Sequence, residues 1–245
     1  MFDGKTIHTL HFTSIDSINT WAKQHAHELD PKALTCITAD EQTTGRGQRD
    51  KTWFSPVGNL YMTFFFVLPQ DFHFTSNLGQ IFALSAAKVL KDFGFSPALK
   101  WPNDILLKEK KAGGILSETI PLHNGLSVLL GLGLNVNILP EQLQHLDQPA
   151  TSLIAESQKQ FELPPLIYAL LEKFLIYLQM LRESGFAPLV HQYNDLLAFR
   201  GEEVIITQPE GSVTGICKRI DAEGRLILES DRKEIHILSG TLRKC

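Results

Sequence analysis

Lys100-Trp101-Pro102-Asn103-Asp104, followed closely by Lys111-Ala112-Gly113-Gly114, gathers two cations, an amide and a carboxylate into one short stretch. At a strand end, an amide can read a base edge and a carboxylate can orient an amine or hold Mg²⁺. The paired glycines would let a substrate lie against backbone. An ordinary hairpin is the competing reading, because Asn103 and Asp104 are favoured turn residues. A second segment, Gly45-Arg46-Gly47-Gln48-Arg49-Asp50-Lys51, puts three cations beside two glycines. Exposed amide donors flanked by Arg and Lys suit phosphate or carboxylate oxygens, and a solvated surface turn is the alternative. In Gly131-Leu132-Gly133-Leu134-Asn135-Val136-Asn137 the third glycine of a dinucleotide loop is missing and no helix pattern follows. Glycines alternating within a strand point instead to something flat lying on the sheet. Ser17-Ile18-Asn19, taken alone, is a helix cap.

Other chemistry is excluded by composition. The chain of 245 residues has 23 Lys+Arg against 27 Asp+Glu, a net charge of -4 that lacks the broad basic footprint of a nucleic-acid binder. Its three cysteines, Cys36, Cys217 and Cys245, form no CxxC pair, so a zinc site or disulfide framework is not expected and a reducing, cytoplasmic setting is. Histidines lack ligand spacing and no Ser-His-Asp or Cys-His set is present, which disfavours nucleophilic catalysis by the protein. The start of the chain does not read as a secretory signal, and the apolar runs 63–69 and 126–136 are too short to span a membrane.

Positioning these residues requires a sheet. Strands are expected at 6–12, 34–39, 60–68, 98–101, 105–107, 114–119 and 126–137, with a tight hairpin at Asn124-Gly125. Small polar residues from Ser14 to Asn19 suit the cap of a helix running through Trp21, Ala22 and His25. Helical spacing predicts helices over 76–93 with Gly94 as cap, over 166–181 between Pro164-Pro165 and Gly185, and over 187–199. Consecutive hairpins imply an α+β fold with a mixed or antiparallel sheet flanked by helices. From residue 201 the texture becomes short alternating strands, 204–207, 213–220, 226–229 and 234–238, which predict a small barrel. The expected division is therefore 1–198, a catalytic unit, and 199–245.

The order of these motifs resembles the biotin protein ligases. The segment Gly45-Arg46-Gly47 through Trp53-Phe54-Ser55-Pro56-Val57-Gly58-Asn59-Leu60-Tyr61, then Lys100 to Asp104, Lys111 to Leu116 and Gly131 to Asn137, is similar to the successive signatures of that family, and the likeness extends to Thr214-Gly215-Ile216 and Gly224. It implies the class II aminoacyl-tRNA synthetase-like fold of biotin and lipoate ligases, with an SH3-like C-terminal barrel. It also implies ATP-dependent attachment of biotin to one lysine of a biotin carboxyl carrier protein, such as an acetyl-CoA carboxylase subunit, through biotinyl-AMP. By the resemblance, biotin would meet Ser17, Ile18, Asn19, Gln42, Arg46, Gly47, Gln48, Lys111, Gly113 and Gly114. The nucleotide would meet Arg46, Arg49, Lys51, Trp53, Lys100, Asn103, Gly131, Gly133 and Asn135, with Trp53 stacking on adenine and the glycines leaving room. Lys111, Arg46 and Asp104 would carry the chemistry, Asp104 orienting the acceptor lysine or binding Mg²⁺.

Three departures stand out. Ile18 replaces a threonine, Gln48 replaces a basic residue that helps retain the adenylate, and Asp50 stands where glycine is common. Sixteen residues precede Ser17, too few for the DNA-binding domain of some relatives, so a monofunctional ligase is expected, with no DNA or membrane partner and with homodimerisation open through sheet edges. Lipoate or octanoate transfer, and a catalytically silent biotin-binding module, are the competing readings.

Overall fold

The computed structural model describes every residue except Met1, Asp3 and Asn124; the expected Asn124-Gly125 turn therefore lies partly outside the described residues. A seven-stranded sheet runs in the order β1 (Ile7–Ile15), β2 (Leu34–Gln42), β3 (Leu60–Leu68), β7 (Gly125–Leu134), β6 (Lys110–Leu122), β5 (Asp104–Leu107), β4 (Pro97–Lys100). Only β1 and β2 pair in parallel, and the other neighbours are antiparallel. The expected mixed sheet is thus present, with β1, β2 and β6 longer than the sequence pattern indicates.

Central β3 is buried throughout and sorts its side chains by the two-residue period of a strand. Met62, Phe64, Phe66 and Leu68 face a large core with helices α2 (Leu78–Asp92) and α5 (Leu163–Ser184). There, rings of Phe64, Phe82 and Phe174 lie 4.8–5.2 Å apart. Tyr61, Phe65 and Val67 face a smaller cluster with Ile18 and Ala22 of α1 (Ile18–Gln24). Thr63 lies on that second face and is polar, and beside it the covering helix gives way to an open cleft.

Helix α5 has 22 residues and a mean hydropathy of 1.2, enough by length and composition to cross a bilayer, a run that the sequence reading passes over. Its Leu166, Leu170, Phe174, Leu178 and Leu181 stripe is buried in the main core. Two short helices, α3 (Pro140–Leu143) and α4 (Leu153–Ser157), are also unanticipated. The expected helix over 187–199 is a correction: only a 3₁₀ turn and α6 (Val190–Asn194) form. Residues 196–198 instead hydrogen-bond along β4, Leu99 N–H donating to Leu196 and Ala198 N–H to Leu99. Tertiary pairing there outweighs local helical spacing.

The C-terminal strands β8 (Glu203–Gln208), β9 (Gly211–Ile220), β10 (Leu226–Ser230), β11 (Lys233–Ile237) and β12 (Thr241–Lys244) order as β11-β10-β9-β8-β12. The predicted barrel is corrected to an open five-stranded antiparallel sheet, among the described residues, with β12 an added edge that the sequence pattern missed. Its turn at Asp221–Arg225 is inserted between the start of α2 and Trp101 at the end of β4. Gly224 carbonyl accepts from Trp101 Nε1 at 3.1 Å and Gln80 Nε2 at 2.6 Å, and Glu223 carbonyl accepts from Asn77 Nδ2 at 3.0 Å. Gly224 has φ +81°, and a Cβ would run into Asn77 and Gln80, so glycine is required there twice over.

Candidate active site

The cleft occupies about 970 Å³ on the β3-β7-β6 face and is closed on one side by Thr241 to Lys244 of β12. Its floor is bare where Gly114 of β6 pairs with Gly133 of β7 and Leu116 with Gly131. The room that these glycines leave is shared with the protein's own Asn19 and Trp53 side chains. A Cβ on Gly131 would sit 2.5 Å from Asn19 Oδ1, and one on Gly133 would strike the Trp53 indole. Gly113 differs, its missing Cβ pointing at Leu134 and Ile105 rather than into the cleft.

One wall is a circuit of neutral hydrogen bonds around a single carboxylate. Ser17 caps α1, its hydroxyl accepting from Thr20 N–H, while Ile18 N–H donates to Gln42 Oε1 at 2.9 Å. The Ile18 side chain is buried with α1, so only its backbone takes part in this circuit. Gln42 Nε2 donates to Ser55 Oγ at 3.1 Å, and Ser55 to the Trp53 carbonyl at 2.9 Å. Thr63 donates to Asn19 Oδ1 at 2.6 Å, and Asn19 Nδ2 donates to Glu118 Oε2 at 3.0 Å. Arg46 reaches the other oxygen of Glu118 at 3.4 Å. Thr63, which lines the cleft, and Glu118 and Ser55, which hold Asn19, Arg46 and Gln42 from behind it, are residues that the sequence reading missed. The available signal for Glu118 was a carboxylate in phase with Gly114 and Leu116 on the same strand.

The opposite wall is ionic. Lys111 Nζ lies 2.7 Å from Asp104 Oδ1 and 5.3 Å above the Trp53 ring, and Lys100 Nζ lies 3.4 Å from Asp104 Oδ2. All three charged side chains are largely buried, at 13–20% exposure, which strengthens their interaction relative to surface pairs. Gly114 makes this possible, since a Cβ there would press on Lys111 at 3.3–3.5 Å. Asn103 and Asn135, expected at the adenine, each donate one side-chain N–H within the protein, to the Ile115 carbonyl at 2.7 Å and the Thr151 carbonyl at 2.9 Å. Trp53 seats Lys111 on its ring, and its own buried Nε1 has no hydrogen-bond partner among the described residues.

Above these walls runs the segment 45–52, pinned by Gly47 N–H to the Lys51 carbonyl at 2.6 Å and a bridge between Arg46 and Thr52. Arg49 takes φ +55° and donates to Thr241 Oγ1 at 2.6 Å, so this expected phosphate ligand here ties the loop to the C-terminal sheet. Gln48 and Lys51 line the same opening. The described residues contain no cluster of three or more His, Cys, Asp or Glu. Both Asp104 oxygens face ammonium groups, so these residues do not fit a resident Mg²⁺.

A neutral wall and a cationic wall facing one another suit a ligand with a polar uncharged head and an anionic tail. Residues 11–135 match the Biotin/lipoate A/B protein ligase family, and 199–241 match the Biotin protein ligase C terminal domain. The bifunctional ligase/repressor BirA of Escherichia coli is 30% identical over 220 residues, covering 89% of this chain and 68% of that protein. This chain belongs to the biotin protein ligase family. The biotin–[acetyl-CoA-carboxylase] ligase of Paracoccus denitrificans is 30% identical, with 87% of this chain and 90% of that protein covered. Among solved structures, the biotin protein ligase of Aquifex aeolicus in complex with biotin and ATP superposes with a TM-score of 0.84 at 27% identity, over 98% of this chain and 100% of that one. Both walls of the ligase cleft lie within or next to the matched ranges.

Proposed function

We propose that the cleft performs ATP-dependent biotinylation in two steps. Biotin's carboxylate attacks the α-phosphorus of ATP, forming biotinyl-AMP and releasing pyrophosphate; an acceptor lysine amine, deprotonated, then attacks the acyl carbon and AMP leaves. The observation that carries this reading is the position of Lys111, an ammonium on the Trp53 face where the neutral wall meets the ionic one. Bringing an anionic carboxylate to a polyanion needs positioned positive charge, and Lys111 supplies it where the two anions would meet. The neutral wall supports recognition of an uncharged cyclic urea: Ser17, Gln42 and the Arg46 backbone present both donors and acceptors. Arg46, Lys51 and Lys100 are our assignments for guiding phosphates. Magnesium enters as part of the MgATP substrate.

Asp104 is our candidate for orienting the acceptor amine once Lys111 turns to phosphate, because its carboxylate already binds ammonium groups on both oxygens. The acceptor is a carboxyl carrier protein, and the particular carrier is open. A cytoplasmic location is supported by three unpaired cysteines, the division near residue 199 by the change from helices to short strands, and a homodimer by the free outer edge of β1. Gln48 predicts a leakier adenylate: Gln48→Arg should slow release of labelled biotinyl-AMP, and an unchanged off-rate rejects this.

The deciding assay mixes the chain with MgATP, an apo carrier domain and labelled biotin or lipoate. Labelling with biotin alone is expected. Lipoate labelling, or biotin binding without pyrophosphate release, rejects the proposal.

A further inference from the structure

At Lys111 the strand ladder is irregular. Leu106 faces Lys111 while Ile105 faces Gly113, so Ala112 is left over as a bulge. A bulge re-aims a side chain but disrupts the pairing that fixes it. Beyond the end of β7, the segment 149–151 takes the neighbouring place: Lys111 N–H donates to Pro149 at 3.0 Å, and Lys111 carbonyl accepts from Thr151 N–H at 2.9 Å.

Thr151 is in turn held on both sides. Its carbonyl accepts from Asn135 Nδ2 at 2.9 Å, and its hydroxyl donates to Glu156 Oε1 at 2.6 Å. The other Glu156 oxygen pairs with Lys108 Nζ at 2.8 Å. Glu156 sits on α4, which is docked by Leu153 and Ile154 N–H groups on the Asn135 and Val136 carbonyls. Burial pushes the Glu156 carboxyl up, yet hydrogen bonds from Lys108 and Thr151 and the charges of Lys108 and Lys110 hold it below its ordinary value. It is therefore an anion at neutral pH. Glu156 lines a second hollow behind the loop, not the main cleft.

We infer that Glu156 is a positioning residue for Lys111, orienting Thr151 and through it the segment whose amide and carbonyl groups frame the Lys111 backbone. The inference rests on the proposed reading of the cleft as an adenylating site. Lys111 needs this frame because its side chain bridges Asp104 and Trp53 from a bulged strand, where a displacement of about 1 Å can cost up to about 100-fold in rate.

Thr151→Val removes the hydroxyl, Glu156→Gln removes the charge, and Thr151→Ser restores the hydroxyl. The first two should lower kcat for biotinyl-AMP formation about 10- to 100-fold while the KM for biotin stays within about twofold; Thr151→Ser should behave as wild type. With fluorinated tryptophan incorporated, the Trp53 resonance should shift in the first two variants and not in the third. Unchanged kcat with an unchanged Trp53 signal overturns the inference, as does a joint loss of kcat, biotin affinity and thermal stability. If the wild type forms no adenylate, the reading of the cleft fails by itself, and the Trp53 signal alone decides: a shift in Thr151→Val supports the positioning role and its absence overturns it.

Discussion

The two walls of the cleft are held in place by different physics. On the α1 side, directional hydrogen bonds of 2.6–3.1 Å hold two sets, Ile18 with Gln42, Ser55 and the Trp53 carbonyl, and Thr63 with Asn19 and Glu118, joining α1 to the main sheet and to the loop between β2 and β3. On the hairpin side, Lys100, Asp104 and Lys111 attract one another at 2.7–3.4 Å, but charge attraction is less directional than a hydrogen-bond circuit. That wall is accordingly braced from outside itself, by segment 149–151 behind Lys111 and by the Gly224 turn holding Trp101. A neutral recognition surface can be self-supporting, whereas an ionic one needs a backbone scaffold.

The largest effect expected from this contrast falls on Lys111→Ala. Biotinyl-AMP formation should drop by about 100-fold or more with circular dichroism unchanged; a wild-type rate of pyrophosphate release would remove Lys111 from the chemistry.

The glycine pair gives a sharper and smaller test. Gly133→Ala should displace Trp53, and with it Lys111, lowering kcat by about tenfold with biotin affinity kept. Gly131→Ala should press on Asn19 and weaken biotin binding by about 1–3 kcal/mol, as when a buried amide loses its partners, with little change in kcat. Calorimetry and single-turnover kinetics read both, and the same effect from both would mean that the walls are not separable.

The smallest effect concerns the brace from the C-terminal sheet. Burial raises the Asp221 carboxyl, but hydrogen bonds from the Arg225 side chain and backbone and from His236 bring it below its ordinary value. A depressed folded value means that its stabilisation is complete above the unfolded value and is lost as pH falls through the folded one. The urea midpoint of wild type should therefore exceed that of Asp221→Asn at about pH 5, with the gap narrowing below about pH 4. A gap independent of pH would show that the Asp221 charge does not shape the turn.

Much of the ionic wall was legible from local spacing, because Lys100 ends β4, Asp104 opens β5 and Lys111 to Gly114 lie in β6, three consecutive strands of one meander. The strands themselves were legible from alternation, as in β3. Less legible were partners from distant segments. Asn135 gives an amide N–H to the Thr151 carbonyl, and Arg49 reaches Thr241 at 2.6 Å, bonds that no local spacing foretells. Glu118 carried no local signal strong enough to separate it from a solvated strand residue. The 187–199 segment kept helical spacing, but the open edge of β4 captured its end.

What the sequence by itself determined is which chemistry is present: glycines that bare a sheet, cations grouped in an acidic chain, and the ordered motifs of a biotin ligase. Those properties reside in residue type and short spacing, which every conformation of the chain shares. Only the tertiary structure decided which polar groups remain available to a ligand. A buried amide takes the partners that the packed strands bring to it, as Asn19 takes Thr63 and Glu118, 44 and 99 residues away along the chain.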